Sequence, residues 1–383
     1  MFKITVDATP VTPKPSGVGY YVANLIDALY TLKATENFHL KIVYQPSLKN
    51  WLRQDLSFPP ELSNYTNLYM LPLPVRLYNL LVASSFQPGL TYFEQYLGNP
   101  DLVHGTNYSV YPCQQSLKVM NIYDLSFLKY SQYTDTVVKA YHQQIKRNLQ
   151  WTDLVLTISE SSKKDVIDYL EVEPNKVAVT PLASRYLSTL IAEELTQSVN
   201  YDFARPYLLF VSTLEPRKNV VTLIEAFNYL KQKYKIDHNL ILIGQKGWHY
   251  KPIFTAIASS PYQECIYHLD YLPDQLVALF YAKADLFVYP SHYEGFGLPV
   301  LEAMTLGAPV VTSNTSSLPE VAGDAAILVD PNDVISLAEA IFCVISDRSL
   351  RSNLISKGKK QAKLYSWERT AKETLQAYRS LLE

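Results

Sequence analysis

Short apolar runs alternate with helix-like patterns along the whole of this 383-residue chain, and that rhythm restricts the fold more than any motif does. The runs fall at 4–8, 40–45, 67–73, 102–105, 118–123, 154–159 and 177–181, then at 207–213, 239–244, 266–269, 286–289, 309–312 and 326–329. They are nearly continuous in apolar residues rather than alternating. That is what a strand needs when helices cover both faces of a parallel sheet. Strand and helix taking turns in this way predicts an α/β fold.

One core does not serve a chain of this length, so two Rossmann-like, doubly wound domains are expected. The polar stretch 184–205 separates the two series of runs. The predicted division is a first domain at 1–184, a linker at 185–205, a second domain at 206–365 and a last helix at 366–383. That helix carries Ala371, Leu375, Tyr378 and Leu382 at helical spacing. It either packs on its own domain or crosses back to the first one. Two such domains imply a central cleft lined by the carboxyl ends of strands.

Composition narrows the function classes. With 48% hydrophobic and 18% charged residues the chain is globular, not disordered. A net charge of −2 gives no reason to expect nucleic acid or a strongly anionic membrane as partner. Cys113, Cys265 and Cys343 lack metal-ligand or CxxC spacing and read as reduced, buried thiols of a cytoplasmic protein. The start of the sequence runs straight into a strand pattern without a signal-peptide core, and no apolar run reaches the ~18 residues that span a bilayer. The 30 tyrosines read as packing residues with their hydroxyls at the surface.

Three places carry chemistry. The segment Ser291 to Met304 follows an apolar run and contains Glu294-Gly295-Phe296-Gly297-Leu298-Pro299 and Glu302. Pro299 suits a first helical position, so a glycine-bearing loop opens a helix whose free N–H groups attract anions. Two acids beside such a start are poor phosphate ligands but good acceptors for sugar hydroxyls. Arg217 and Lys218, just past the run 207–213, are either a diphosphate-binding pair or a solvated loop pair. Gly17 and Gly19, before a helix-like stretch, either let a ligand approach the backbone or simply give a flexible loop. No metal motif accompanies them. His104, His249, His268 and His292 read as surface or core residues.

Taken in chain order, several motifs identify a resemblance. They are Ser16-Gly17-Val18-Gly19, His104-Gly105-Thr106-Asn107-Tyr108, Asp124-Leu125-Ser126-Phe127, Glu215-Pro216-Arg217-Lys218-Asn219, and Glu294 to Met304. The chain resembles a retaining GT-B glycosyltransferase of the family 4 type over nearly its whole length. That resemblance implies a nucleotide sugar as donor, held mainly by the second domain, and an acceptor glycan or lipid-linked glycan on the first. It gives Glu302 the ribose, Glu294 the transferred sugar, and the backbone of Gly295, Phe296, Gly297 and Leu298 the sugar or its phosphate. Arg217 and Lys218 neutralise the leaving diphosphate, assisted by Gly17 and Gly19, while Tyr271, Leu272 and Leu276 border the base. His104 and Asn107 fall to the acceptor. Tyr123 and Asp124 stand where the family often has His-Asp, whose histidine contacts the donor sugar.

UDP-glucose is the first expectation for the donor and GDP-mannose the alternative, with no cofactor and no metal. A sugar-nucleotide epimerase and a non-catalytic sugar-binding protein are the competing readings. The segment 71–82, with a single arginine, reads as core or domain cleft, the alternative being an amphipathic patch lying on the inner face of a membrane.

Overall fold

A computed structural model describes residues 1–12, 17–83, 93–129, 136–186 and 201–383. Ser16 of the first glycine motif and residues 187–200 of the expected linker lie outside them. The chain forms two compact units, Met1–Leu182 with Trp367–Glu383, and Ala183–Ser366.

The first unit is built on seven strands: β1 Phe2–Asp7, β2 Phe38–Tyr44, β3 Leu68–Met70, β4 Leu102–Gly105, β5 Leu117–Asn121, β6 Leu154–Thr157 and β7 Val177–Val179. Their spatial order is β3-β2-β1-β4-β5-β6-β7, all parallel. Val6 lies opposite Ile42 on one side and His104 on the other, which fixes the central register. Strand order reverses between β1 and β4, and in open α/β sheets that switch point is where ligands bind, beyond the carboxyl ends.

The second unit repeats the plan with β8 Tyr207–Val211, β9 Asn239–Ile243, β10 Ile266–Leu269, β11 Leu286–Tyr289, β12 Val310–Ser313 and β13 Ala326–Val329. These lie in the order β10-β9-β8-β11-β12-β13, again all parallel. The switch point here falls between β8 and β11. Each of the thirteen predicted runs contains one of the thirteen strands or overlaps it.

The last helix, Trp367–Leu382, belongs to the first unit and packs on the helix Gly17–Leu32 that follows β1. Its buried face carries Ala371, Leu375 and Tyr378. Thr370 Oγ1 donates to the Pro181 carbonyl at 2.7 Å. The Tyr378 hydroxyl donates to His104 Nδ1 at 2.6 Å, and the other ring nitrogen donates to Asn121 Oδ1 at 2.5 Å. His104 is wholly buried, and burial pushes its pKa down to about 4, so it is neutral and serves as a two-ended link between helix and sheet.

Two expectations are corrected. Several tyrosine hydroxyls bond inside the protein rather than at its surface, as Tyr378 does and as Tyr207 does to the Phe280 carbonyl at 2.7 Å. Cys113 is buried, but Cys265 is half-buried and Cys343 exposed, because the second and third lie outside the strand cores.

Tyr378→Phe removes the donor and leaves a buried histidine nitrogen without its partner. It is expected to cost about 1–3 kcal/mol in urea unfolding.

Candidate active site

The chain leaves β8 at its carboxyl end and reaches a single 3-10 turn, Pro216–Lys218. Asn219 ends that turn in the left-handed conformation, φ 60°, which asparagine tolerates better than most residues. Its side-chain amide donates to the carbonyls of Pro290 at 3.1 Å and Pro331 at 2.6 Å. The turn is thereby fastened to the loop after β11. The His292 N–H donates to the Arg217 carbonyl at 3.0 Å, a second fastening.

Between these two loops the side chains of Arg217, Lys218 and Glu294 meet. Lys218 Nζ lies 2.7 Å from Glu294 Oε1 and donates to the Tyr289 hydroxyl at 2.8 Å. Arg217 Nη1 lies 3.2 Å from Glu294 Oε2 and donates to the Tyr293 carbonyl at 2.6 Å, while Nη2 lies 2.7 Å from Glu215 Oε1. Ser291 Oγ donates to Glu294 Oε1 at 2.7 Å. Two cations and two carboxylates therefore form one charge-balanced cluster, with Glu215, Lys218 and Glu294 buried and Arg217 half-buried. Burial acts to raise the Glu294 carboxyl, but Lys218 and Arg217 outweigh it and bring the pKa down to about 2. Burial lowers the Lys218 ammonium, and Glu294 opposes that.

The loop then turns into the helix Leu298–Leu306, with Pro299 at its second position, one later than expected. Gly297 precedes it at φ +112°, and a Cβ there meets Leu318 Cδ2 at 2.9 Å, so the position needs glycine on two counts. Ser316 and Ser317 brace the turn. The Glu294 N–H donates to Ser316 Oγ at 2.9 Å, and Ser317 Oγ reaches the Phe296 carbonyl at 2.6 Å. Phe296 is buried, its ring edge-on to Tyr365.

Glu302, on the next part of that helix, is held differently. Arg185 Nε lies 2.8 Å from Glu302 Oε1, and Arg185 Nη1 lies 3.2 Å from Asp274 Oδ1. The Tyr281 hydroxyl donates weakly to Glu302 Oε2 at 3.4 Å. Burial raises the Glu302 carboxyl above its ordinary range, with Arg185 working against it. Asp274 opens the helix Asp274–Lys283, which follows β10 and carries Leu276, buried, in its first turn. Tyr271 is exposed and Leu272 half-buried just before it. Arg185 thus ties Glu302 to the segment expected to border the base.

The first unit holds the remaining candidates at or near the carboxyl ends of β1, β4 and β5. Gly17 begins a helix in an exposed position, and Gly19 is buried within its first turn. Asn107 is exposed just beyond β4. Asp124 Oδ1 accepts from the N–H of Ser126 at 2.9 Å and its hydroxyl at 2.7 Å, capping a short turn. His104 does not reach outward to an acceptor, because both its nitrogens are used in the core. Tyr123 does not present its proton to a sugar either. Its hydroxyl donates to the Thr106 carbonyl at 2.5 Å, and the ring packs edge-on against Tyr21 and Tyr108. Gly105 is glycine for a local reason, since a Cβ there lies 1.9 Å from the Ser109 carbonyl oxygen.

Four participants have no role legible in the sequence, although Ser291 and Asn219 fall within its motifs. Ser291, Tyr289 and Asn219 build the Glu294 cluster, and Arg185 covers Glu302 from a segment that reads as linker. Asp7, at the end of β1, is a fifth group of note: burial pushes its carboxyl up to about 6, against a hydrogen bond from the Thr9 N–H at 2.9 Å. Among the described residues no group of His, Cys, Asp or Glu is placed to hold a metal ion.

Two doubly wound parallel sheets of seven and six strands make a GT-B glycosyltransferase fold. Sucrose-phosphate synthase from Thermosynechococcus elongatus has this fold, with a TM-score of 0.73 at 20% identity over 100% of this chain and 99% of that one. So does WaaG, a glycosyltransferase involved in lipopolysaccharide biosynthesis, at 0.70 and 16% over 98% and 99%. The family model described as glycosyl transferases group 1 matches residues 192–361. O-antigen chain mannosyltransferase B of Escherichia coli is 32% identical over 388 residues, 99% of this chain and 100% of that protein. The chain belongs to the group 1 glycosyltransferases, and it is an enzyme.

Glu294→Gln leaves Lys218 buried without a counter-charge, and is expected to cost about 3–5 kcal/mol at neutral pH. The lowered carboxyl contributes stability above its unfolded pKa near 4.5 that is lost as pH falls toward about 2. Urea midpoints across that window should therefore fall less steeply in the variant than in the parent.

Proposed function

We propose that this enzyme transfers mannose from GDP-mannose, with retention at the reacting carbon, to a growing or lipid-linked polysaccharide. The geometric support for the reaction is the ionised Glu294 held between Arg217 and Lys218 at the switch point of the second sheet. The support for the sugar is the whole-length similarity to a mannosyltransferase. For that reason GDP-mannose takes the place of UDP-glucose as first donor.

On this reading Glu294, ionised and acceptor-only, takes hydrogen bonds from the sugar's hydroxyls. The bond from the sugar carbon to the diphosphate breaks as the acceptor oxygen attacks from the same face. The hydroxyl proton passes to a diphosphate oxygen. Negative charge develops on the diphosphate, and Lys218, Arg217 and the helix start after Gly297 stabilise it more in the transition state than in the ground state. Glu302 takes the ribose, which requires Arg185 to give up or share one carboxylate oxygen.

Lys218→Ala should lower kcat by at least about a hundredfold while the Kd for GDP, measured by calorimetry on the folded variant, changes only a few-fold. An effect confined to KM contradicts the assignment. Incubating the enzyme with each donor and a polysaccharide acceptor should release GDP faster than UDP, and a preference for UDP-glucose overturns the sugar assignment. The leaving charge is assigned to side chains, so turnover should persist in excess EDTA; loss of turnover restored by a divalent cation refutes that assignment.

A further inference from the structure

One cation bears on the site of the second unit without a part in the chemistry assigned to it. Arg185 lies in the stretch that leads into β8, and it meets Glu302 across 117 positions and Asp274 across 89. Its hold on Glu302 is uneven. Nε sits 2.8 Å from Oε1, whereas Nη2 donates to Oε2 at 3.4 Å. The Tyr281 hydroxyl reaches the same Oε2, also at 3.4 Å. Hydrogen bonds from nitrogen to oxygen normally span about 2.7–3.2 Å. Oε1 is therefore committed, and Oε2 is held by two long contacts only.

The guanidinium is itself fixed. Nη1 lies 3.2 Å from Asp274 Oδ1, and the group stands 5.0 Å from the centre of the Tyr186 ring, which packs edge-on to Tyr281 at 6.2 Å. The Glu302 side chain is 4% exposed and that of Arg185 29%, so the carboxylate is out of water and its partner is at the rim. A carboxylate so placed stays ionised only with a counter-charge beside it. Burial favours the neutral acid there and Arg185 opposes it, while Asp274 sides with burial and the Tyr281 hydroxyl with Arg185. The Arg348–Ala362 helix also packs on the Glu302 helix, but further along, with Gly358 against Met304 and Lys359 beside Gly307.

We infer that Arg185 is a positioning residue for the nucleotide: it grips Glu302 by Oε1, matches its charge, and leaves Oε2 to a ribose hydroxyl. A hydroxyl at ordinary distance displaces the two long contacts and spares the short one, so the nucleotide binds without stranding either ion. The bond it donates goes to an anion, and is roughly twice as strong as one to a neutral acid. Asp274 ties the same guanidinium to the helix that follows Tyr271 and Leu272, so one side chain sets both the ribose carboxylate and the segment expected to border the base. The inference rests on the reading that Glu302 takes the ribose.

The test is calorimetry with GDP and 2′,3′-dideoxy-GDP, repeated with the uridine pair so that the outcome does not hang on the base. In the parent the ribonucleotide should bind at least about thirtyfold tighter than its dideoxy form. Arg185→Gln should cut that ratio to about threefold at neutral pH, with the Kd of the dideoxy nucleotide changed by less than about twofold. Without its cation the buried carboxyl holds its proton to higher pH. The variant's ratio should therefore climb between about pH 7 and 9 while the parent's stays level, the titration of the phosphates cancelling in the ratio. Arg185→Gln/Glu302→Gln carries no unpaired buried charge, and its ratio should equal that of Glu302→Gln alone. Equal loss for both nucleotides, tighter GDP binding by Arg185→Gln, a variant ratio level with pH, or additive losses in the double variant each overturn the assignment. A parent that binds ribo and dideoxy nucleotides alike refutes the ribose reading of Glu302 itself. That result is distinct from a parent that discriminates while Arg185→Gln loses both nucleotides equally, which refutes the role of Arg185 alone.

Discussion

The buried pair of Lys218 and Glu294 is the contact on which the second unit's chemistry depends. Taking two opposite charges out of water costs several kcal/mol per ion, and their attraction repays it only with good geometry and full hydrogen bonding. Here the pair sits at 2.7 Å, and Tyr289, Ser291 and Arg217 add hydrogen bonds and charge around it. The loops on either side are bound by the same logic, since Asn219 and the Arg217 carbonyl fix one to the other. A shift in either loop would strand a charge. The cluster therefore fixes the shape of the site as well as its electrostatics.

Glu302, on the helix that follows the Glu294 loop, is held in the opposite state. Glu294 is held well below the ordinary carboxyl range and Glu302 above it, though the two are eight positions apart and both buried. The difference lies in the partners. Two cations and a serine serve Glu294, whereas Glu302 shares one arginine with Asp274. One carboxylate is committed to its charge, and the other depends on Arg185 to keep it.

Fold and site were not equally legible in the sequence. The strands were readable as short, mostly apolar runs between helical patterns, and 102–105, 266–269, 286–289 and 326–329 match their strands residue for residue. Arg217, Lys218 and Glu294 could be picked out because topology sends strand ends to one edge. Arg185 could not, since it meets Glu302 across 117 positions from a stretch without pattern. His104 and Tyr123 lie at strand ends too, yet they face the core. Inward or outward orientation there follows from distant partners such as Tyr378, 274 positions away. The return of the last helix is not legible for the same reason: its apolar spacing is equally good for either destination.

That returning helix sets an order of events. Chain synthesis delivers the seven strands of the first sheet, then the whole of the second unit, and only afterwards the segment that covers the helix after β1. Until residues 367–383 emerge, His104 has no tyrosine above it and the Gly17–Leu32 helix lacks its cover. The second unit, continuous in sequence, can close on itself earlier. The first unit is thus sealed only after the second has been made, and the nascent chain holds open apolar surface through that interval, when such surface invites aggregation or a chaperone.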